Sequence, residues 1–299
     1  MRILIAIALA AFAALPARAE LKVVGSLPIL ASLAKEIGGD RIDAQALAKG
    51  TQDPHYVEAR PSLMLTLNRA DLLLHVGMEL EIGWLPPLIL GSRNPKIQTG
   101  EPGNLDCSQA IEPLDIPTTA INRSMGDIHP QGNPHYWLPP HNALRIGKLI
   151  AERLAQLDPE GRPTFEANLR RFQKLVAAKQ AEWAPLLARL RGTKVATYHR
   201  SWTYVVQWLG LHEVGEVEPK PGIPPDPAHL LKLIQKMRAE KASLLLVESF
   251  YNRGLATTVA EKSGARLVVL PTDVGAEAKI TSWAELVQAV LDELGRDLS

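Results

Sequence analysis

The chain has 299 residues, with 33 lysine and arginine side chains against 32 aspartate and glutamate, and one cysteine. So even a charge balance excludes a basic nucleic-acid face or a polybasic membrane patch, and the lone Cys107 excludes a disulfide within the chain. The length exceeds one usual hydrophobic core and favours two domains.

Residues 1–19 place Arg2 before an apolar run from Ile3 to Leu15 and end in Ala17-Arg18-Ala19. This reads as a secretory signal peptide with a small-x-small cleavage site, too short for a membrane span. The mature chain then begins at Glu20 and carries 31 basic against 32 acidic side chains. No cysteine follows the cleavage site to take a lipid, so the expectation is a free periplasmic protein without a stable membrane anchor. Cys107 reads as a small buried residue.

From there, short apolar runs alternate with amphipathic stretches, the pattern of α/β units with parallel sheets. "LKVVGS" (21–26) reads as a strand and "PILASLAKEIGGD" as the helix after it. "IDAQALA" (42–48) is a strand, "PSLMLTLNRA" a Pro-initiated helix, "DLLLHVG" (71–77) a third strand and "TTAIN" (118–122) a fourth. Residues 141–158 and 161–192 are long helical patterns with charged outer faces. Pro163 and Gly192 punctuate the second, and Pro185 is expected to kink or end its last turns.

The grammar then repeats. "TKVATY" (193–198), "HEVGEVE", "SLLLVES" and "ARLVVLP" read as strands, alternating with helices in "SWTYVVQWLGL", "PAHLLKLIQKMRAE", "NRGLATTVAEKSG" and "SWAELVQAVLDELG". The fold class predicted is α/β, with two lobes, each a parallel sheet flanked by helices. The expected division is an N-terminal lobe over 20–160, a bridging helix over 161–192 and a C-terminal lobe over 193–299. A helix of about 25 residues spans almost 40 Å at 1.5 Å per residue, enough to tie two lobes together.

Four polar residues fall just after predicted strands: His55 in "DPHY", His135 in "GNPHYWLPP", His199 in "TYHRSW" and Asp273 in "PTDVG". Ligands of open parallel sheets bind beyond the carboxyl ends of strands, so the inter-lobe cleft is the natural meeting point. Three imidazoles and a carboxylate there would make an N₃O site suited to Zn²⁺; no thiolate is present for a soft metal such as Cu(I). Yet each histidine also reads as a hydrogen-bonded structural residue, and spacings of 80, 64 and 74 residues match no local metal motif. Glu58 and Glu248 are possible carboxylate partners for a ligand imidazole. In "MGDIHPQGNPH", Asp127 and His129 precede His135, and His129 reads either as an auxiliary metal contact or as a solvated loop residue. His75, His212 and His229 read as structural or surface residues.

Taken in order, "DPHYVEARPS" (53–62), "GNPHYWLPP" (132–140), "TYHRSWTYV" (197–205), "LVES" (246–249) and "PTDVG" (271–275) resemble the signatures of the zinc and manganese solute-binding proteins of ABC transporters, the cluster A-I family. The resemblance implies a metal ion held by His55, His135, His199 and Asp273, with no catalytic residue. It also implies a monomer that passes its cargo to an inner-membrane permease. Histidine at position 199, where many manganese carriers have glutamate, points to Zn²⁺, with Mn²⁺ or iron as the alternative. The chain departs from the family pattern at Val57, Ala59-Arg60 and Pro139-Pro140, and lacks a His-rich loop. The rival readings are a secreted zinc hydrolase, for which no HExxH or G-x-S-x-G motif exists, and a protein whose zinc merely pins two lobes. With an unperturbed imidazole pKa of about 6.5, metal affinity is expected to fall as pH drops from about 6 to 5.

Overall fold

Residues 20–118, 126, 128–220 and 222–296 are described by a computed structural model. In the first half, Leu21–Gly25 (β1), Ile42–Ala46 (β2), Leu72–His75 (β3) and Asn104–Asp106 (β4) form one sheet in the order β2-β1-β3-β4. In the second, Lys194–Thr197 (β5), His212–Glu216 (β6), Leu244–Glu248 (β7) and Arg266–Leu270 (β8) repeat it as β6-β5-β7-β8. Every pairing is parallel. Parallel strands covered on both faces need continuous apolar runs, and β7, "LLLVE", is buried at all five positions.

The helices are Pro28–Gly38 (α1), Pro61–Asn68 (α2), Leu85–Ser92 (α3), Pro140–Leu157 (α4), Arg162–Leu190 (α5), Thr203–Leu209 (α6), Pro227–Glu240 (α7), Arg253–Ser263 (α8) and Trp283–Gly295 (α9). Proline near the first position of α1, α2, α4, α5 and α7 supplies the fixed φ that starts a helix and lacks only an N–H that would have no partner there. None of the described helices is long and apolar enough to cross a membrane.

The predicted α/β class and the long bridge are both present. α5 buries Phe165, Asn168, Phe172 and Val176 in its first half, where Asn168 Nδ2 donates to Ile37 O of α1 at 2.9 Å. In its second half Trp183 meets Trp283 of α9 and Trp208 of α6, with ring centroids 5.9 and 6.3 Å apart. One helix therefore packs on both sheets' helical layers.

Three local expectations change. α5 continues through Pro185 to Leu190; Leu186 packs against Gly295 of α9 and Leu190 is fully buried, so tertiary contacts hold the turns that proline weakens. The fourth strand of the first sheet is Asn104–Asp106, while most of "TTAIN" (118–122) lies outside the described residues. α3 has no counterpart in the sequence reading, because Pro86-Pro87 in its first turn looks like a loop signal.

Candidate metal centre

His55 follows β2 on a tight loop whose form is set by Asp53. The Asp53 carboxylate accepts from the His55 backbone N at 3.0 Å and from its ring Nδ1 at 2.8 Å, the short-range bonding aspartate makes in turns. The proton is thereby placed on Nδ1 and the Nε2 lone pair is left free. Burial pushes the Asp53 carboxyl up, but its bonds to His55 and the imidazole charge outweigh this and hold it below its ordinary value. Trp84 Nε1 pins the same loop by donating to Pro54 O at 2.9 Å.

His135 sits ahead of α4 on a loop anchored to both halves of the molecule. Asn133 accepts from His135 N at 2.9 Å through Oδ1, and its Nδ2 donates to Arg200 O at 2.8 Å. Tyr136, fully buried, donates its hydroxyl to Val76 O beyond β3, and Trp137 Nε1 donates to Thr272 O at 2.8 Å. His199 is the first residue of the turn after β5, extended at φ −124° and ψ 168°.

The three loops converge. One ligand atom each of His55, His135 and His199 lie within 4.8 Å of one another, the one such group among the described residues, and their ring centroids are 5.1 to 5.5 Å apart. Tetrahedral zinc with Zn–N of about 2.0–2.1 Å separates its nitrogens by about 3.4 Å, so small side-chain rotations suffice to close on an ion. Among the described residues, His55 Nε2 and His135 Nε2 are buried without a hydrogen-bond partner. Burial, then the charges of His55, His199 and His129, hold the His135 imidazole well below its ordinary pKa. A neutral, unpartnered nitrogen is the state a metal ion requires.

Other predicted residues take different places. Asp273 follows β8 and is buried, but it is not in the group of close ligand atoms. Its Oδ1 accepts from Ile29 N at 2.7 Å and Val274 N at 2.7 Å, capping the first turn of α1 from the other lobe. Burial pushes this carboxyl up to about 8 against those two bonds. His129 stacks on His55 with centroids 5.5 Å apart and 27° between planes, and lines a small cavity with His135 and His199; Asp127 lies outside the described residues. Glu58 is 77% exposed and faces Arg60 at 3.5 Å, on the rim of an outer groove of about 680 Å³ that His55 also lines.

Glu248 ends β7 fully buried, and neither of its oxygens completes a hydrogen bond among the described residues, although the Ser201 hydroxyl approaches. Burial pushes it up to about 8, the Ser201 hydroxyl and its own backbone oppose this, and the negative charges of Glu218 and Asp53 add to the rise. His75 and His229 make local bonds, to Asn104 Oδ1 at 2.9 Å and Glu216 O at 2.8 Å. Two carboxylates beside the site escaped the sequence reading, Asp53 and Glu218. Asp53 carried a usable signal, an aspartate two residues before a histidine; Glu218 carried none.

Two like-ordered parallel sheets, a helix spanning both and three buried imidazoles from separate loops define a two-lobed metal-binding protein of the transport type. Residues 23–296 match the family described as zinc-uptake complex component A, periplasmic, and the chain belongs to that family, whose members bind metal for ABC importers. It is 26% identical to the high-affinity zinc uptake system protein ZnuA of Paracoccus denitrificans (strain Pd 1222), covering 95% of each chain. It is also 27% identical to the iron ABC transporter substrate-binding lipoprotein MtsA of Streptococcus pyogenes serotype M1, over 82% of this chain and 77% of that one. With the manganese ABC transporter substrate-binding lipoprotein PsaA of Streptococcus anginosus the identity is 25%, over 94% and 90%. A crystal structure of ZnuA superposes with a TM-score of 0.77 at 26% identity, covering 94% of this chain and all of that one.

Proposed function

We propose that the protein captures Zn²⁺ in the periplasm and hands it, as a monomer, to the permease of an ABC importer. The observation that carries the reading is the convergence of His55, His135 and His199 from three separate loops, each with one nitrogen buried and unpartnered among the described residues. Three imidazoles favour Zn²⁺ over Mn²⁺ by ligand type and by the ordinary affinity order. The similarity to a zinc uptake protein supports that choice, while the iron and manganese relatives make those metals the alternative.

In this reading Asp273 supplies the fourth ligand with its second oxygen while Oδ1 keeps its hold on α1. Its place after β8 and its burial support this, since a cation would stabilise a carboxylate that otherwise keeps its proton up to about 8. His129 lies close enough to meet an arriving ion. The division into a cleaved signal over 1–19, lobes over 20–160 and 193–299 and a bridge over 161–192 belongs to the same proposal, as does the lack of a lipid anchor. No enzymatic step is assigned, because Asp53, the carboxylate bonded within the cluster, is engaged by His55 and is not placed as a general base.

The test is competition of the metal-free chain, residues 20–299, for Zn²⁺ and Mn²⁺ against a chromophoric chelator. One tightly bound zinc per chain, held far more strongly than manganese, is the expected result. A preference for manganese overturns the metal assignment.

A further inference from the structure

Behind His199 lies an acidic residue that the site described so far does not use. Glu218 is buried, and its Oε2 stands 3.5 Å from His199 Nδ1. Neither atom has a hydrogen-bond partner among the described residues, and at 3.5 Å they fall just short of bonding each other. Leaving both apart costs the desolvation of two polar groups; a contraction of about half an ångström would satisfy both at once.

The backbone keeps them in register. Beyond the end of β6, Val217 N donates to Thr197 O at 2.8 Å and Glu218 N to Tyr198 O at 2.9 Å, so the ladder between β5 and β6 continues to the residue before His199. Glu218 is therefore carried by a strand extension that moves with β5. The arrangement parallels the first lobe, where Asp53 holds His55 Nδ1 at 2.8 Å.

We propose that Glu218 is the positioning residue for His199, accepting the proton on Nδ1 so that the ring presents Nε2 to the metal ion. A carboxylate behind a ligand imidazole fixes its tautomer and orientation and raises its basicity. Each lobe then contributes one histidine held from behind by one acid, Asp53 with His55 and Glu218 with His199. Glu248, buried nearby, faces no ligand ring at a comparable distance and has no part in this.

The inference rests on His199 being a zinc ligand, and the experiment separates the two. Zinc affinity of Glu218→Gln, Glu218→Ala and His199→Ala is measured by chelator competition, and the His199 ring nitrogens are followed by ¹⁵N NMR. Glu218→Gln keeps the side chain's volume, so it decides the matter even if Glu218→Ala does not fold. The expected result is one zinc per chain bound about 10- to 100-fold more weakly in Glu218→Gln, with the metal-free His199 ring losing its preference for the Nδ1–H form. Affinity within twofold of the unsubstituted protein, or a loss of affinity with the Nδ1–H form unchanged, overturns the proposal. Unchanged zinc binding in His199→Ala would instead remove the metal-site reading beneath it.

Discussion

At the residue scale, the site is a set of polar groups that folding has stripped of water without fully pairing. Among the described residues, His55 and His135 each bury an unpartnered nitrogen, and Glu248 buries two unpartnered oxygens. What was legible in the sequence was the set of histidines that the structure brings together, each beside a proline or a tyrosine. What was not legible was the support. Glu218 reaches His199 only because β5 and β6 are neighbours in the sheet, and no local pattern announces that pairing. The expected loss of metal affinity between pH 6 and 5 also shifts, because His135 is held neutral well below the ordinary imidazole range and adds its share only in more acidic solution. Glu248 gives a test of burial alone. Its folded pKa of about 8 lies above the unfolded value of 4.5, so the native state keeps a proton that the unfolded chain has lost. Stability contributed by the protonated group is complete below the unfolded value and falls as pH rises towards 8, by at most about 1.4 kcal/mol per pH unit. Denaturant unfolding of the metal-free protein should therefore show Glu248→Gln gaining on the unsubstituted chain between pH 5 and 8; parallel stability curves would refute the assignment.

At the scale of elements, α5 is the part on which the two halves depend. Its helical pattern was plain from the charged outer face and the terminal Pro163 and Gly192, and the helix spans Arg162–Leu190. The disruption expected at Pro185 did not end it, because the aromatic contacts around Trp183 and the packing of Leu186 on Gly295 outweigh one missing hydrogen bond. α3 was missed for the opposite reason, since adjacent prolines suggest a loop until burial of Leu85, Leu88 and Ile89 is seen. Trp183 is 2% exposed, and its Nε1 donates to Gln288 Oε1 at 2.8 Å. Trp183→Ala should cost about 3–5 kcal/mol of stability, the usual range for emptying a buried aromatic site, with zinc affinity nearly unchanged. Unfolding in denaturant and chelator competition measure the two. An equal loss in both would mean that α5 shapes the site and does not merely brace it.

At the scale of the whole molecule, the loop bearing His135 is the seam between the halves. Asn133 and Tyr204 bond across it, Trp137 reaches Thr272, and Asp273 reaches back to Ile29. With α5 packed on both sides, wide separation of the lobes would break all of these together, so in the proposed function the ion would enter and leave through local movement of loops. His55 follows β2 and His199 follows β5, one strand end from each half, and the loop ahead of α4 brings His135 to them, so histidines 80 and 64 positions apart meet. In the proposed function one ion is held by imidazoles from both halves. X-ray absorption at the zinc edge of the loaded protein tests it most directly. The prediction is a first shell of nitrogen and oxygen at about 2.0–2.1 Å with the outer-shell scattering of three imidazoles, falling to two in His199→Ala. A spectrum with one imidazole or none, or one that His199→Ala leaves unchanged, would rule out an ion shared between the two halves.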